Sequence, residues 1–91
     1  MDLKRAEKIS KALGDPYRLR IVEAIQGEGD WLSCSTVQQM FSLAQSTISH
    51  HIKQLADADL LIVEKNGRNI KYKVNNIVFT AYIKYLTQFA A

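Results

Sequence analysis

Seven side chains that can exchange hydrogen bonds with a base edge or a phosphate lie within ten residues: Gln45, Ser46, Thr47, Ser49, His50, Lys53 and Gln54. None is bulky and apolar, and no acid interrupts the set before Asp57. Ile48, Ile52 and Leu55 are threaded between them at i, i+4 and i+7, so a helix here buries those three and turns the polar set outward. The first residues of such a helix are the part that enters a major groove. Lys65, Arg68 and Lys71 form a second group around Asn66-Gly67, a strong hairpin-turn signal, and lysine or arginine at a turn is suited to phosphate. An isolated polar helix face is more often simply solvated, and strand lysines often only discourage edge pairing. A polar helix followed directly by a basic hairpin favours nucleic acid over both bland readings.

Other chemistry is sparse. Cys34 is the only cysteine, so no intrachain disulfide and no thiolate zinc cage can form. His50 and His51 are neighbours, and on a helix neighbours point about 100° apart, so they do not converge on one ion. His50 is therefore read as facing DNA and His51 as packing at the edge of the core stripe. There is no Gly-rich phosphate loop and no nucleophile–base pair, and Glu7, Glu23 and Glu28 read as surface charge. An enzyme is not expected, nor a cofactor or a metal. Trp31 suits a structural aromatic better than a ligand pocket.

The elements that must position these residues follow from periodicity and caps. Leu3, Ala6, Ile9 and Leu13 mark an amphipathic helix over 3–13, stopped by Gly14. Asp15-Pro16 is a helix start, predicting a second helix to about Gln26 with Leu19, Val22, Ala24 and Ile25 inward and a loop bracketed by Gly27 and Gly29. A third short helix begins after Ser33 or Ser35 and ends near Phe41, burying Val37, Met40 and Phe41. Ser42-Leu43-Ala44 links it to the helix over 45–58. Leu60 to Lys65 and the alternation of Ile70, Tyr72 and Val74 with Lys71 and Lys73 predict two strands. From Ile77 to Phe89 the apolar residues cover nearly the whole helix circumference, so a second copy of the chain is expected to bury one side. The expected fold is a single domain over 1–91, mainly α with a small β-hairpin, in the winged helix-turn-helix order ααααββα.

Composition agrees and sharpens the charge argument. The 91 residues are 47% hydrophobic and 23% charged, which excludes disorder and low-complexity filler. The net charge is +3, and the segment Leu60 to Val74, with four bases against one acid, carries all of it. A neutral body with a basic hairpin suits a reader of DNA. The charged start, with Asp2, Lys4, Arg5, Glu7, Lys8 and Lys11, does not read as a signal peptide, and Leu60-Leu61-Ile62-Val63 falls far short of the ~20 residues a bilayer span needs. A cytoplasmic protein without membrane partners is expected.

Lys-Ala-Leu-Gly-Asp-Pro-Tyr-Arg-Leu-Arg-Ile-Val over 11–22, Gln-Ser-Thr-Ile-Ser-His-His-Ile-Lys-Gln-Leu over 45–55 and Gly-Arg-Asn-Ile-Lys-Tyr-Lys-Val over 67–74 together resemble the ArsR (arsenic-repressor-like) family of winged-helix regulators. The likeness runs from about Ala6 to Asn75. It implies a homodimer paired through its first and last helices, here Leu3, Ala6, Ile9, Val78, Phe79, Tyr82, Tyr85, Leu86 and Phe89, repressing transcription until an effector releases it from DNA. Two-fold symmetry implies a pseudo-palindromic operator with half-sites about one helical turn apart. Many members hold a metal through Cys-X-Cys in the third helix. Here Trp31-Leu32-Ser33-Cys34-Ser35-Thr36-Val37 puts serine at both thiolate positions, and hydroxyls are poor ligands for soft metals. Other members use Asp, His and Glu on the last helix, and residues 77–91 contain none of these. The effector stays open, as do two alternatives: a winged-helix protein-interaction module, and a redox-responsive repressor acting through Cys34.

Overall fold

In the computed structural model, which describes residues 1–90, every α-helix but one starts on a side-chain cap. Asp2 accepts a hydrogen bond from the Arg5 N–H at 2.8 Å and begins α1 (Leu3–Leu13). Asp15 accepts from the N–H groups of Tyr17 and Arg18 at 2.8 and 3.2 Å, and Pro16 opens α2 (Pro16–Glu28). Ser33 accepts from the Thr36 N–H and starts α3 (Cys34–Met40). Asn75 does the same for α5 (Asn76–Leu86), which runs on into a 3₁₀ turn over Thr87–Phe89. The exception is α4 (Gln45–Asp57), preceded by Ala44, whose methyl group can accept nothing. The Ala44 carbonyl accepts from the Thr47 N–H at 3.0 Å, so no side chain is needed to satisfy that group of the first turn.

Three antiparallel strands, β1 (Leu32–Ser33), β2 (Leu61–Asn66) and β3 (Asn69–Val74), lie in the order β1-β3-β2. Leu61 opposes Val74, Val63 opposes Tyr72 and Leu32 opposes Tyr72 from the other side. Ile9, Ile21, Ile25, Val37, Leu55 and Leu60 are fully buried and join the first four helices to the start of β2; Ile48, Ile52, Tyr72, Val74 and Val78 complete the core. These five helices and the hairpin make a winged helix-turn-helix. Among the described residues, no helix is long and apolar enough to cross a membrane.

Several expectations are corrected. Gly27 lies inside α2, which ends only at Gly29, where φ is +76°. Ile21 and Ile25 are the buried pair of α2, whereas Leu19 is exposed: two residues before Ile21, it sits about 200° round the helix. Met40 is exposed as well, because α3 is only two turns long and presents Val37 inward. The two-residue β1 adds a third strand that no alternation could signal. The hairpin loop is Gly67-Arg68, not Asn66-Gly67, because Asn66 still pairs with Asn69 and the glycine takes φ +62° at the first loop position. Of the expected dimer contacts, Ala6, Ile9 and Val78 are buried within the chain's own core.

The junction between α4 and β2 yields a stability prediction. The Leu60 N–H reaches the Leu55 carbonyl and the Asp59 N–H reaches that of Ala56, both at 3.0 Å, closing a Schellman motif in which Asp59 sits at φ +61°. Glycine fits that conformation without a Cβ clash. Asp59 also faces Arg5 at 3.7 Å, but both groups are solvent-exposed and such a pair contributes little. Asp59→Gly is therefore expected to raise stability by about 0.5–1 kcal/mol, read as a higher midpoint in urea denaturation. A lower midpoint would mean that the Arg5 contact outweighs the strain.

Candidate nucleic-acid interface

Ile48, Ile52 and Leu55 seat α4 on the core, and His51 adds a fourth anchor. The His51 ring stacks on Tyr17 of α2, centroids 6.0 Å apart and planes 23° from parallel, as its expected place at the edge of the stripe requires. With that face occupied, Gln45, Ser46, Thr47, Ser49, His50 and Lys53 are exposed together. Gln54 is not fully among them. Three residues after His51, it turns back toward the buried side and is half-covered. Lys53 is exposed but engaged: its Nζ lies 2.8 Å from Asp57 Oδ2 one turn along, and that hydrogen bond holds the Asp57 carboxyl below its ordinary value.

The two-residue turn puts Arg68 at the wing tip with Lys65 just behind it. Both are exposed, and neither forms an ion pair among the described residues. Lys71 lines the same cleft as Gln45 and Arg68 but is engaged within the chain. It faces its register partner Glu64 at 3.4 Å on the outer side of the sheet, with its Nζ 4.9 Å from the centre of the Trp31 ring. Lys73 approaches the same ring at 5.8 Å. Trp31 is thus a platform for the wing's outer cations, a role its position before β1 did not reveal.

Between the start of α3, the start of α4 and the wing tip lies a half-open cleft of about 630 Å³. Ser33, Ser35, Gln38, Gln45, Arg68 and Asn69 are among its lining residues, with Cys34 at its wall. The two serines that replace expected thiolates have work of their own: Ser33 Oγ lies 2.7 Å from Thr36 Oγ1 and 3.2 Å from Ser35 Oγ. Cys34 is half-buried, and its Sγ accepts a hydrogen bond from Gln38 Nε2 at 3.4 Å. Burial, and then the neighbouring Cys34, push the Tyr72 phenol above its ordinary value. Among the described residues, no three of His, Cys, Asp and Glu gather where they could hold a metal ion. Nothing in the spacing of residues foretold the cleft, because three separate segments build it.

The comparisons agree on a family. Residues 13–64 match the model of a helix-turn-helix domain. An arsenical resistance operon repressor from Staphylococcus xylosus is 33% identical over 88 residues, covering 97% of this chain and 79% of that protein. Among solved structures, an ArsR family transcriptional regulator superposes with a TM-score of 0.87 at 22% identity, over 99% of this chain and 91% of that one, which shows the shared fold. A winged helix-turn-helix DNA-binding domain from Mycobacterium bovis, described as homodimeric, gives 0.75 at 18% identity over 97% and 79% of the two chains. With the polar face of α4 and the basic wing tip already side by side, the chain belongs to the ArsR family of winged helix-turn-helix transcriptional regulators.

Proposed function

We propose that this chain is a DNA-binding transcriptional repressor that acts as a homodimer on a pseudo-palindromic operator. The observation that carries the reading is that Gln45, at the start of the exposed polar face of α4, and Arg68, at the tip of the basic wing, line one cleft. The α4 face enters the major groove and discriminates bases, while the wing holds phosphate. Lys53 and Lys71, each paired with an acid of this chain, contribute less charge than Lys65 and Arg68. For the dimer, the support is an apolar surface across α1 and α5. Leu3, Ile83, Leu86 and Phe89 are exposed there, Phe79, Tyr82 and Tyr85 are half-covered, and the Tyr82 hydroxyl ties α5 to Ser10 of α1 at 2.7 Å. The similar Mycobacterium bovis domain pairs as a homodimer. Its place of action is the cytoplasm, with the DNA it reads.

Salt-dependent binding to the promoter of the chain's own operon tests this. Affinity is expected to fall steeply as salt rises, and a preferred duplex is expected to outcompete random DNA. Lys65→Ala with Arg68→Ala removes four phosphate contacts per dimer, so all duplexes should weaken alike and the log–log salt slope should flatten by roughly three to four. No fall with salt, or no preferred duplex, would remove the proposal. Lost sequence preference with undiminished affinity in the wing variant would remove the wing's role.

A further inference from the structure

His51 and Tyr72 are the only buried residues, among those described, that are not aliphatic. The His51 Nδ1 is buried and has no hydrogen-bond partner among the described residues. Phenylalanine would fill the same stack on Tyr17 without that cost, so a histidine here calls for a reason. Asp15 supplies one. The N–H groups of Tyr17 and Arg18 both donate to Asp15 Oδ1, at 2.8 and 3.2 Å, which leaves Oδ2 for another donor. Arg18 does not take it: its Nη2 turns to the Lys11 carbonyl at 3.5 Å, and it forms no ion pair among the described residues. Burial works against the Asp15 charge. The Arg18 and Tyr17 N–H groups, then His51 and Arg18 through space, outweigh it and hold the carboxyl below its ordinary value. Asp15 therefore stays charged across the range of about pH 5–8 in which an imidazole changes its charge.

The other charged groups around α4 are engaged elsewhere or exposed. On α4 itself the His50 ring stands 6.2 Å from that of His51 but is exposed, and Lys53 holds Asp57. Arg20 of α2 lies over the Tyr17 ring at 5.7 Å. From the other elements packed on α4, Lys8 of α1 acts on Asp57, and Glu64 of β2 faces Lys71. Protonation puts an N–H on both imidazole nitrogens, and a buried N–H has to meet an acceptor. The acceptor beside the stack is the Asp15 carboxylate, already bonded to the backbone of the residue on which His51 stacks. We infer that His51 is a positioning residue working as a proton-operated latch: on gaining a proton it bonds Asp15, ties the cap of α2 to the buried side of α4, and fixes the exposed face of α4. With a neutral imidazole, packing alone holds that helix. The inference rests on the DNA-binding reading above and adds to it a regulation by mild acid.

Between about pH 8 and pH 6 the ratio of operator to random-DNA affinity should rise on the order of tenfold, because sequence reading needs α4 fixed whereas charge alone holds random DNA. His51→Phe keeps a ring against Tyr17, and Asp15→Asn keeps an oxygen for the α2 cap, so both should stay folded by circular dichroism. In each of them the ratio should change less than about twofold over the same range. His50→Gln should keep the pH response of the ratio, whatever it does to affinity, which separates the latch from a proton taken up by the exposed neighbour. In DNA-free, carbon-13-labelled protein, the Asp15 carboxyl carbon should shift in step with the His51 ring carbons as pH falls, and in His51→Phe that step should vanish. A wild-type ratio that ignores pH, or one that follows pH as strongly in His51→Phe or Asp15→Asn, would overturn the latch and leave the repressor reading standing. Loss of the response in His50→Gln would overturn it too. Failure of the wild-type protein to bind any duplex would remove the repressor reading, and the carbon shifts alone would then decide whether the latch exists.

Discussion

Ile83→Asp with Leu86→Asp is expected to yield a folded monomer that binds a complete operator on the order of 100- to 1,000-fold more weakly than the wild type. Both residues lie on α5, with 58% and 39% of their surface open in the single chain, so the substitutions remove nothing from its core. Burying such a side chain contributes about 1.5–3 kcal/mol, and a two-fold interface repeats every contact. Carboxylates at the same place oppose association, since an unpaired charge is costly to bury. The consequence for DNA follows from linkage. Two half-site readers joined in a dimer bind with an avidity of about 10²–10⁴ over one alone, and the monomer forfeits it. Sedimentation should show one chain in place of two, circular dichroism should be unchanged, and affinity for an isolated half-site should move less than about threefold. A persistent dimer with full operator affinity would place the interface elsewhere. Ala6, Ile9 or Val78 would give no such answer, because each is buried in the protomer and its substitution damages the fold first.

What the sequence disclosed of the fold depended on how strongly one local rule spoke. Asp15 before Pro16 fixes a helix start by chemistry that needs no tertiary partner, and the cap is there with both hydrogen bonds. Ile48, Ile52 and Leu55 stand alone as apolar residues among polar ones, so α4 has a single inward face and the reading of it holds. Along α2 the apolar residues Leu19, Ile21, Val22, Ala24 and Ile25 spread round the helix, and periodicity then cannot choose between Leu19 and Ile21. Packing against α4 and β3 chooses. β1 escapes for a related reason, as Leu32 and Ser33 become a strand only because Tyr72 and Lys71 of the distant β3 are there to pair with them.

The interface divides along the same line. That residues 45–53 offer a polar face is a property of one helix and was legible. How much charge each cation keeps is a property of its neighbours and was not. Lys53 has Asp57 one turn away and Lys71 has Glu64 across the hairpin, while Lys65 and Arg68 form no ion pair among the described residues. Ser33 and Ser35 carried only a negative message in the sequence, as hydroxyls where thiolates would bind metal. Their place in a cleft beside Arg68 depends on the hairpin folding back toward α3, which no spacing within either segment encodes.

Replacing Gln45, Ser46 and Ser49 together by alanine is expected to bring operator affinity down to that for random DNA, a loss on the order of 10³-fold or more, with the salt slope unchanged. The three side chains are exposed at the start of α4, a helix that begins without a side-chain cap. Alanine is the best helix former, and Ile48, His51, Ile52 and Leu55 keep their seats, so the thermal transition should stay within a few degrees of wild type. A base contact contributes about 1–3 kcal/mol of discrimination, and the two-fold dimer loses each one twice. The variant leaves Lys65 and Arg68, the residues proposed to hold phosphate, in place, which is why random-duplex affinity and its salt dependence should persist. This outcome is the reverse of that for the wing variant, where all duplexes weaken alike and the slope flattens. Competition binding with operator and scrambled duplexes at two salt concentrations separates them. An alanine variant that still prefers its operator would mean that sequence is read through DNA shape or through His50 and Thr47, and that the first turn of α4 only positions the helix.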